Sequence, residues 1–563
     1  MIKLRTKIEI MCTVILLLMI SIAQVLSVTR TISNTQDTVT TFITNSNGKY
    51  WDASNSNIQS AVWDLNSTNG GWIQIPTGAI LITKTIQLID HLWIKGYGNA
   101  TVLQLDDNAN TSIFTNVDKT SGNTDIKISD MTLDGNGETC GIYPASAPTT
   151  RANTIYFKCV DRVTIQNCHI TKSPAASIFW WFVNDSKVRD CELSYSGIQF
   201  EGTGQNNHIP KGVFTEGCVN MIFDNLHIHD CFAAGFSPEA HFGGGTLNSS
   251  NWILSNSIIH NCHDGIYLER TENGMISNCV IYDNNKDEAY ADEYPDGVTI
   301  GRYVTNITIS NCITYGNGND SAGGGSGFAC GSSQNCDNIL FSNCISYDNY
   351  EHGFVCHGHD IIISGCTARN NTKCGIYGQG LNLSITNNNI VTCGDCGIWI
   401  LSDVGTENKG GIISGNKIRN TTDDAIRVGA ANYTITDNNI YWCEANGTHV
   451  IYNRYIINNN WIVNCSYDGI YVEGLSTDKT RAHNGTINSN YIDICGYNGI
   501  QITHAQNFSV MCNVIKNCGN KAFSETGASS AHNIFILNNY IGGTIFTVSA
   551  RLNLTGDSWN LYE

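Results

Sequence analysis

A glycine followed by an apolar residue recurs along most of this chain, and this repeat restricts the possible folds more than any other feature. The shortest spacing is 22 residues, from Gly353 to Gly375 and again from Gly375 to Gly397. Longer intervals contain the same unit and an insertion. Such a period indicates a repeat architecture in which each unit contacts mainly its neighbours. The copies are Gly235-Phe236, Gly265-Ile266, Gly297-Val298, Gly327-Phe328, Gly353-Phe354, Gly375-Ile376, Gly397-Ile398, Gly469-Ile470 and Gly499-Ile500.

A second signature follows most of these glycines, and it ends in cysteine in earlier copies and in asparagine in later ones. Apolar and polar residues alternate within each unit, as in Ile307-Thr308-Ile309, which is typical of short strands. Three such strands with their turns form one coil of a parallel β-helix. The sequence therefore predicts an all-β, single-stranded parallel β-helix. The signature positions are Cys279, Cys312, Cys344 and Cys366, then Asn388, Asn416, Asn438, Asn460, Asn490, Asn513 and Asn539.

Stacking of coils places equivalent residues above one another at ~4.8 Å. The chain has 23 cysteines, and those of the second signature share one column. Because a buried cysteine packs as a small apolar residue, we expect stacked core thiols rather than a disulfide framework. Disulfides between adjacent coils stay geometrically possible.

The N-terminus has the pattern of an export signal. Basic residues precede an apolar run from Ile10 to Ile20, so residues 1–27 are predicted to be a signal peptide or membrane anchor. Residues 28–48 are interpreted as a linker, and residues 49–563 as the β-helix domain. We expect a secreted or cell-surface protein, with membrane contact only through that anchor. The net charge of −18 and the dispersed basic residues argue against nucleic acid as a partner.

The region 50–105 contains Gly70-Gly71-Trp72, Pro76-Thr77-Gly78 and Leu92-Trp93-Ile94. Here the sequence resembles the opening of the pectate-lyase superfamily of right-handed β-helix proteins. The resemblance implies an N-terminal capping helix, and an open end would otherwise expose the core and unpaired strand edges. We expect this cap over 49–105, coils over 106–545 and a C-terminal cap over 546–563. Members of that superfamily include lyases, hydrolases and epimerases, so the fold alone does not fix the activity.

Alignment of the coils on the glycine brings carboxylates into one column, four residues after each copy. Glu239 and Glu269 occupy it on successive coils, with Glu216 or Glu201 on the coil before. Stacked carboxylates repel each other, which points to a function or a cation. Separations of ~5–5.5 Å suit a retaining glycosidase and ~6.5–9.5 Å an inverting one. The alternative is a solvated acidic stripe without a role.

Further candidates lie in or beside this column. Two arginines on successive coils are predicted to bind acidic sugar groups, or else to compensate Glu269. Histidine and aspartate near the carboxylates are candidates for proton transfer, and aromatic side chains for stacking on sugars. The proton-transfer candidates are His241 and Asp264. The substrate-binding candidates are Arg270, Arg302, Tyr267, Trp181, His263, His357 and Tyr377.

The most acidic stretch of the chain, 286–296, contains Asp292, Glu293 and Asp296. Several oxygen ligands in one loop suit Ca²⁺. We therefore hold two alternatives for cofactors: none, or Ca²⁺ at these three residues. A solvated loop explains the same composition.

One stretch resembles the active coils of mannuronan C5-epimerases. It runs from Cys231 to His241 and is followed by the stretch from His263 to Glu269. That family has Tyr-Gly-Phe-Asp-Pro-His in the first stretch and an aspartate one coil later. Here Ala234 stands at the tyrosine, Ser237 at the aspartate and Glu239 at the histidine, and Glu269 stands at the later aspartate.

These observations favour an extracellular enzyme that cleaves an acidic polysaccharide, with Glu239 and Glu269 as the carboxylate pair of a glycoside hydrolase. A polysaccharide lyase or C5-epimerase acting on uronates is one alternative, with His241 or Tyr267 moving the proton. A non-catalytic glycan-binding or cell-surface protein is another.

Overall fold

The computed structural model describes most of the repeat region in detail. The described residues are 42–107, 109–138, 153–197, 211–240, 248–284, 295–319, 324–331, 336–401, 410–451, 453–474, 483–503, 506–526, 535–537, 539–542 and 561–562. The predicted signal or anchor at 1–27 lies outside them. No helix in these ranges is long and apolar enough to cross a bilayer.

Most coils contribute three short strands that pair in parallel with the coils before and after them. The coil that begins at Gly353 has Phe354–Cys356, His359–Ser364 and Thr367–Arg369. Phe354 pairs with Ile376, and Thr367 pairs with Asn389. The register is thus the 22-residue period of the sequence, and the predicted parallel β-helix is confirmed.

The first strand of every coil belongs to one ladder, here called sheet 1. Most of its inward side chains are apolar, and the candidate site lies on its outward face. Its strands are Ile86–Leu88, Phe114–Asn116, Ile155–Lys158, Ile178–Trp181, Val213–Glu216, Phe236–Glu239, Ile266–Leu268, Val298–Ile300, Phe328–Cys330, Phe354–Cys356, Ile376–Gly378, Ile398–Ile400, Ile426–Val428, Thr448–Val450, Ile470–Glu473, Asn498–Thr503 and Lys521–Thr526.

The other strands form a second network, here called sheet 2. They are Phe42–Asn45, Tyr50–Asp52, Gly71–Gln74, Gly78–Ile82, Leu92–Leu105, Asn123–Thr124, Ile126–Asp134, Val160–Asp161, Thr164–Thr171, Asn184–Ser194, Val219–His229, Ser249–Ser255, Ile258–His260, Thr271–Ser277, Val280–Tyr282, Val304–Ser310, Ile313–Tyr315, Cys336–Ser342, Ile345–Tyr347, His359–Ser364, Thr367–Arg369, Leu383–Thr386, Asn389–Cys393, Gly411–Ser414, Lys417–Thr421, Tyr433–Thr436, Asn439–Cys443, Ile456–Asn458, Trp461–Cys465, His483–Asn488, Tyr491–Cys495, Gln506–Met511, Val514–Lys516, Phe535–Leu537, Tyr540–Gly542 and Leu561–Tyr562.

The repeated glycine is explained by the close approach of successive coils. A Cβ on Gly353 would lie 2.6 Å from the carbonyl oxygen of Gly375, and one on Gly375 would lie 2.8 Å from that of Gly397. Both distances are shorter than a carbon–oxygen contact allows. The apolar residue that follows points inward, and Ile376 and Ile398 are fully buried.

The second signature forms one buried column, as the sequence predicted. Cys344 and Cys366 are both at most 1% exposed, and the backbone N–H of Cys366 donates to Oδ1 of Asn388, where the column changes to asparagine. From there each side-chain amide donates to the next asparagine, at 3.0 Å from Asn388 to Asn416 and 2.9 Å from Asn416 to Asn438. The ladder provides hydrogen-bond partners for buried polar groups of the turns that strand pairing does not engage.

A single helix within the described residues, Asn55–Asn66, covers the first coil. It begins after Ser54, whose hydroxyl accepts a hydrogen bond from the backbone N–H of Asn57 at 3.3 Å. Its buried face contains Ile58, Val62 and Leu65. The helix shields the core at the first coil and confirms the predicted cap.

Candidate functional site

Three carboxylates lie in register on the outer face of sheet 1. Glu216 pairs with Glu239 on the next coil. On the coil after that, the backbone N–H of Glu269 donates to the carbonyl of Pro238, the residue before Glu239, at 3.3 Å. The column therefore contains Glu216, Glu239 and Glu269 on successive coils, here called the carboxylate stack. Glu201, the other candidate for the first position, lies outside the described residues.

The carboxylate stack is buried. Glu239 is 0% exposed, Glu269 1% and Glu216 3%. The interpretation as a solvated acidic stripe is therefore wrong for these residues. Buried carboxylates need cations or hydrogen bonds, because removing charge from water is expensive.

Lys211 supplies one such cation. Its ammonium group forms an ion pair with Glu239 in which both side chains are at most 4% exposed. The same nitrogen lies 3.1 Å from Oγ of Ser237, which also hydrogen-bonds the Glu239 carboxylate. Lys211 is positioned over the ring of Tyr267 as well, 5.3 Å from its centroid. A neighbouring ammonium group and a hydroxyl donor favour the ionised form of a buried carboxylate.

Glu269 is held by different partners. The hydroxyl of Tyr267 donates to its Oε2 at 2.9 Å. Its Oε1 lies 3.5 Å from the guanidinium of Arg302 and 3.9 Å from Nε of Arg270. Both arginines thus offset the negative charge of Glu269, which is one of the two roles predicted for them. Arg302 is 59% exposed and still faces solvent.

A second group of acids lies at the turn before these strands. Asp264 accepts from the hydroxyl of Thr299 at 3.2 Å and lies 3.4 Å from Nδ1 of His263. On the following coil Asp296 accepts from the backbone N–H of Ser326 at 2.6 Å. Burial raises the pKa of Asp296 well above its usual value, and the neighbouring Asp264 adds to the shift.

The described residues do not test the Ca²⁺ hypothesis, because they include one of the three proposed ligands. Asp296 is buried and bonded to the next coil, and Asp292 and Glu293 lie outside the described residues, as does His241. The Ca²⁺ site and a role for His241 stay predictions.

Aromatic side chains flank the first carboxylate. Trp181 is the neighbour of Glu216 in the strand pairing, and Lys158 lies over its ring at 4.1 Å. Phe179 stacks on Phe214 with ring centroids 4.8 Å apart. Both phenylalanines are buried, so the half-buried Trp181 is the ring of this group that a sugar could contact.

His357 and Tyr377 occupy the same face but not the same site. Their rings contact each other edge to face at 5.3 Å. In the register His357 lies three coils beyond Glu269, or about 14 Å at the spacing of paired strands. The structure does not bring these two residues to the carboxylate stack.

Sequence reasoning missed a second cluster farther along this face. His449 lies between two carboxylates, with Nδ1 2.9 Å from Asp424 and Nε2 3.0 Å from Glu473. Burial opposes the charge on His449, but the two hydrogen bonds outweigh it and raise its pKa. The bond from His449 lowers the pKa of Glu473. Glu473 stands four residues after Gly469, so extending the glycine alignment would have found it. Lys211 has no comparable position in the repeat by which the sequence would have identified it.

The comparisons with known proteins cover most of the repeat region, including the candidate site. The sequence matches the family described as a right-handed β-helix region over residues 117–293, 246–409 and 404–556. All three members of the carboxylate stack lie within the matched ranges. No curated protein matches the chain.

Several solved structures are similar to the chain at low identity. The A-module of mannuronan C-5 epimerase AlgE6 from Azotobacter vinelandii is 14% identical, covers 88% of this chain and 96% of its own, and has a TM-score of 0.34. The N-terminal fragment of bacteriophage phi29 gene product 12 is 14% identical, with coverages of 90% and 94% and a TM-score of 0.49. PfbA, a surface adhesin of Streptococcus pneumoniae, is 14% identical, with coverages of 62% and 93% and a TM-score of 0.45.

Proposed function

The chain belongs to the right-handed β-helix family, and from that premise we propose that it is an extracellular enzyme that cleaves polysaccharide at the carboxylate stack of sheet 1. The observation that carries the proposal is the register of Glu216, Glu239 and Glu269 on three successive coils. Adjacent coils place carboxyl groups about 5 Å apart, which is the separation used by retaining glycosidases.

The surroundings of the carboxylates suggest their roles in hydrolysis. Lys211 places its ammonium group against the Glu239 carboxylate, and such a cation favours the ionised form that a nucleophile requires. Glu216 lies beside Trp181 and two residues after Phe214, and apolar surroundings favour the neutral form that a general acid needs. Glu216 would protonate the glycosidic oxygen while Glu239 attacks the anomeric carbon, which forms a glycosyl–enzyme ester. Water, deprotonated by Glu216, would then release the sugar and restore Glu239.

The substrate class follows from charge and shape. Arg302 presents an exposed guanidinium beside Glu269, and this group suits bidentate binding of a sugar carboxylate. The half-buried indole of Trp181 offers an apolar surface. We infer an acidic polysaccharide. Because the carboxyl groups are buried, binding must open this face before the glycan reaches them.

One contact favours a second candidate function, a lyase or C5-epimerase. Tyr267 lies between Lys211 and Glu269, and a phenol beside a cation can act as a proton donor or acceptor. With Arg302 neutralising a uronate carboxylate, the same residues would remove the proton at C5. The product distinguishes the two reactions.

The test is incubation of the purified chain with alginate, polygalacturonate and hyaluronan. New reducing ends without absorbance near 235 nm would support hydrolysis, an unsaturated product would support a lyase, and C5 inversion seen by NMR without cleavage would support an epimerase. Glu239→Gln should lower the rate by a factor of at least about 100. The control is Glu444→Gln, which changes an exposed carboxylate directly after the sheet 2 strand Asn439–Cys443. Binding without any product would leave a glycan-binding protein and overturn the enzymatic proposal.

A further inference from the structure

Four side chains with metal-binding donor atoms meet on the outer face of sheet 2, on strands that take no part in the carboxylate stack. Glu192 pairs with His227, and His229 pairs with His260. The residues between them along the strands, Leu193, Ile228 and Ile259, point inward and are fully buried. Strand alternation therefore directs all four donors outward to the same place.

Three of these groups have donor atoms close enough to share one ion, and His260 adjoins them. A carboxylate oxygen of Glu192 and one ring nitrogen each from His227 and His229 lie within 4.8 Å of one another. Nε2 of His229 is 3.3 Å from Oε1 of Glu192, and Nε2 of His227 is 2.9 Å from Nε2 of His260. In a tetrahedral site with bonds of about 2.0–2.1 Å, ligand atoms are about 3.3 Å apart. The observed separations lie around that value.

Asp230 orients one of these histidines. Its Oδ2 lies 2.8 Å from Nδ1 of His229, so that Nε2 is the nitrogen facing Glu192. Histidines that bind metals usually donate their other N–H to a carboxylate in this way, which fixes the ring and the tautomer. An ion pair between His229 and Glu192 alone would not require Asp230 at the other ring nitrogen.

We propose that Glu192, His227, His229 and His260 form a site for a divalent late transition metal, of which Zn²⁺ is the probe. Imidazole and carboxylate together suit Zn²⁺ and its neighbours in the series and not Mg²⁺ or Ca²⁺. The side chain of Glu192 is 46% exposed, so an ion can enter from solvent. The site stands independently of the polysaccharide activity.

The experiment is calorimetric titration of the full, chelator-treated chain with Zn²⁺, together with visible absorption of the Co²⁺ form. We expect one Zn²⁺ per chain at this site and a Co²⁺ spectrum of nitrogen and oxygen ligands. His229→Ala and Glu192→Gln should each weaken Zn²⁺ binding more than about 10-fold, and Asp230→Asn about 10- to 100-fold. Glu192→Gln keeps the shape of an exposed side chain, so it tests the site without endangering the fold. His359→Ala, an exposed histidine elsewhere on sheet 2, is the matched control and should bind as the parent does.

Three results would overturn the proposal. Zn²⁺ affinity that is unchanged in both His229→Ala and Glu192→Gln would exclude this cluster. Cys374, Asp395 and Cys396 form another group of donors, and binding lost in Cys396→Ser but kept in His229→Ala would place the metal there instead. Equal binding of Mg²⁺ and Zn²⁺ would also refute a site selected by imidazole.

Discussion

We expect the asparagine ladder to contribute substantially to the free energy of unfolding. Asn438 is 1% exposed, and its amide donates to the carbonyl of Ile413 and to Oδ1 of Asn460, both at 2.9 Å. Its Oδ1 accepts from the backbone and the side chain of Asn416, at 3.0 and 2.9 Å. Asn438→Ala removes all four bonds and leaves buried partners without them. At about 1 kcal/mol for each bond, the free energy of unfolding should fall by about 4 kcal/mol.

The measurement is urea denaturation of the parent and of two variants, with hydrogen exchange to locate the change. Asn439→Ala, at the exposed neighbouring position, is the control and should stay within about 0.5 kcal/mol of the parent. Asn438→Cys should cost less than Asn438→Ala, because Cys366 fills the same column on an earlier coil. Faster exchange should be confined to the coils around 416–460, since each coil contacts mainly its neighbours. A loss in Asn438→Ala no larger than in Asn439→Ala would refute the idea that the ladder stabilises the stack.

Two further predictions concern charged groups on sheet 1. Lys211→Met removes the cation from the buried Glu239 and should lower stability by about 3–5 kcal/mol, while Lys211→Met with Glu239→Leu should recover much of that loss; a double-mutant cycle in urea tests it, and additive effects would contradict the ion pair. The folded-state pKa of His449 is raised above its usual 6.5, so its contribution is complete below pH 6.5 and is lost as the pH rises through the folded value. The pKa of Glu473 is lowered from 4.5, so its contribution is present above that pH and is lost as the pH falls through the folded value. The difference in free energy of unfolding between the parent and His449→Gln should therefore be larger at pH 5.5 than at pH 9. An equal difference at both pH values would contradict a raised pKa of His449 in the folded protein.

Much of the architecture was predictable because a stacked fold repeats its local rules. The glycine column, the cysteine and asparagine column and the 22-residue register all follow from one requirement, that equivalent backbone atoms of successive coils meet at a fixed short distance. Gly353 and Asn438 could be assigned from spacing alone for this reason. The same alignment placed Glu239 and Glu269 on adjacent coils, and it contained Glu473 as well, since that residue follows Gly469 by the same four positions.

What the sequence could not supply was the environment of each outward side chain. Glu239 and Glu269 have the same column position, yet one is paired with a buried lysine and the other with a tyrosine and two arginines. Lys211 reaches its carboxylate across coils, and His229, Glu192 and His260 come together only because insertions of different lengths leave their strands in register. Periodicity fixes which face a residue occupies, because strand geometry is local. Burial, ion pairing and metal-type clusters depend on distances between side chains far apart in the chain, and only the stacked structure determines those.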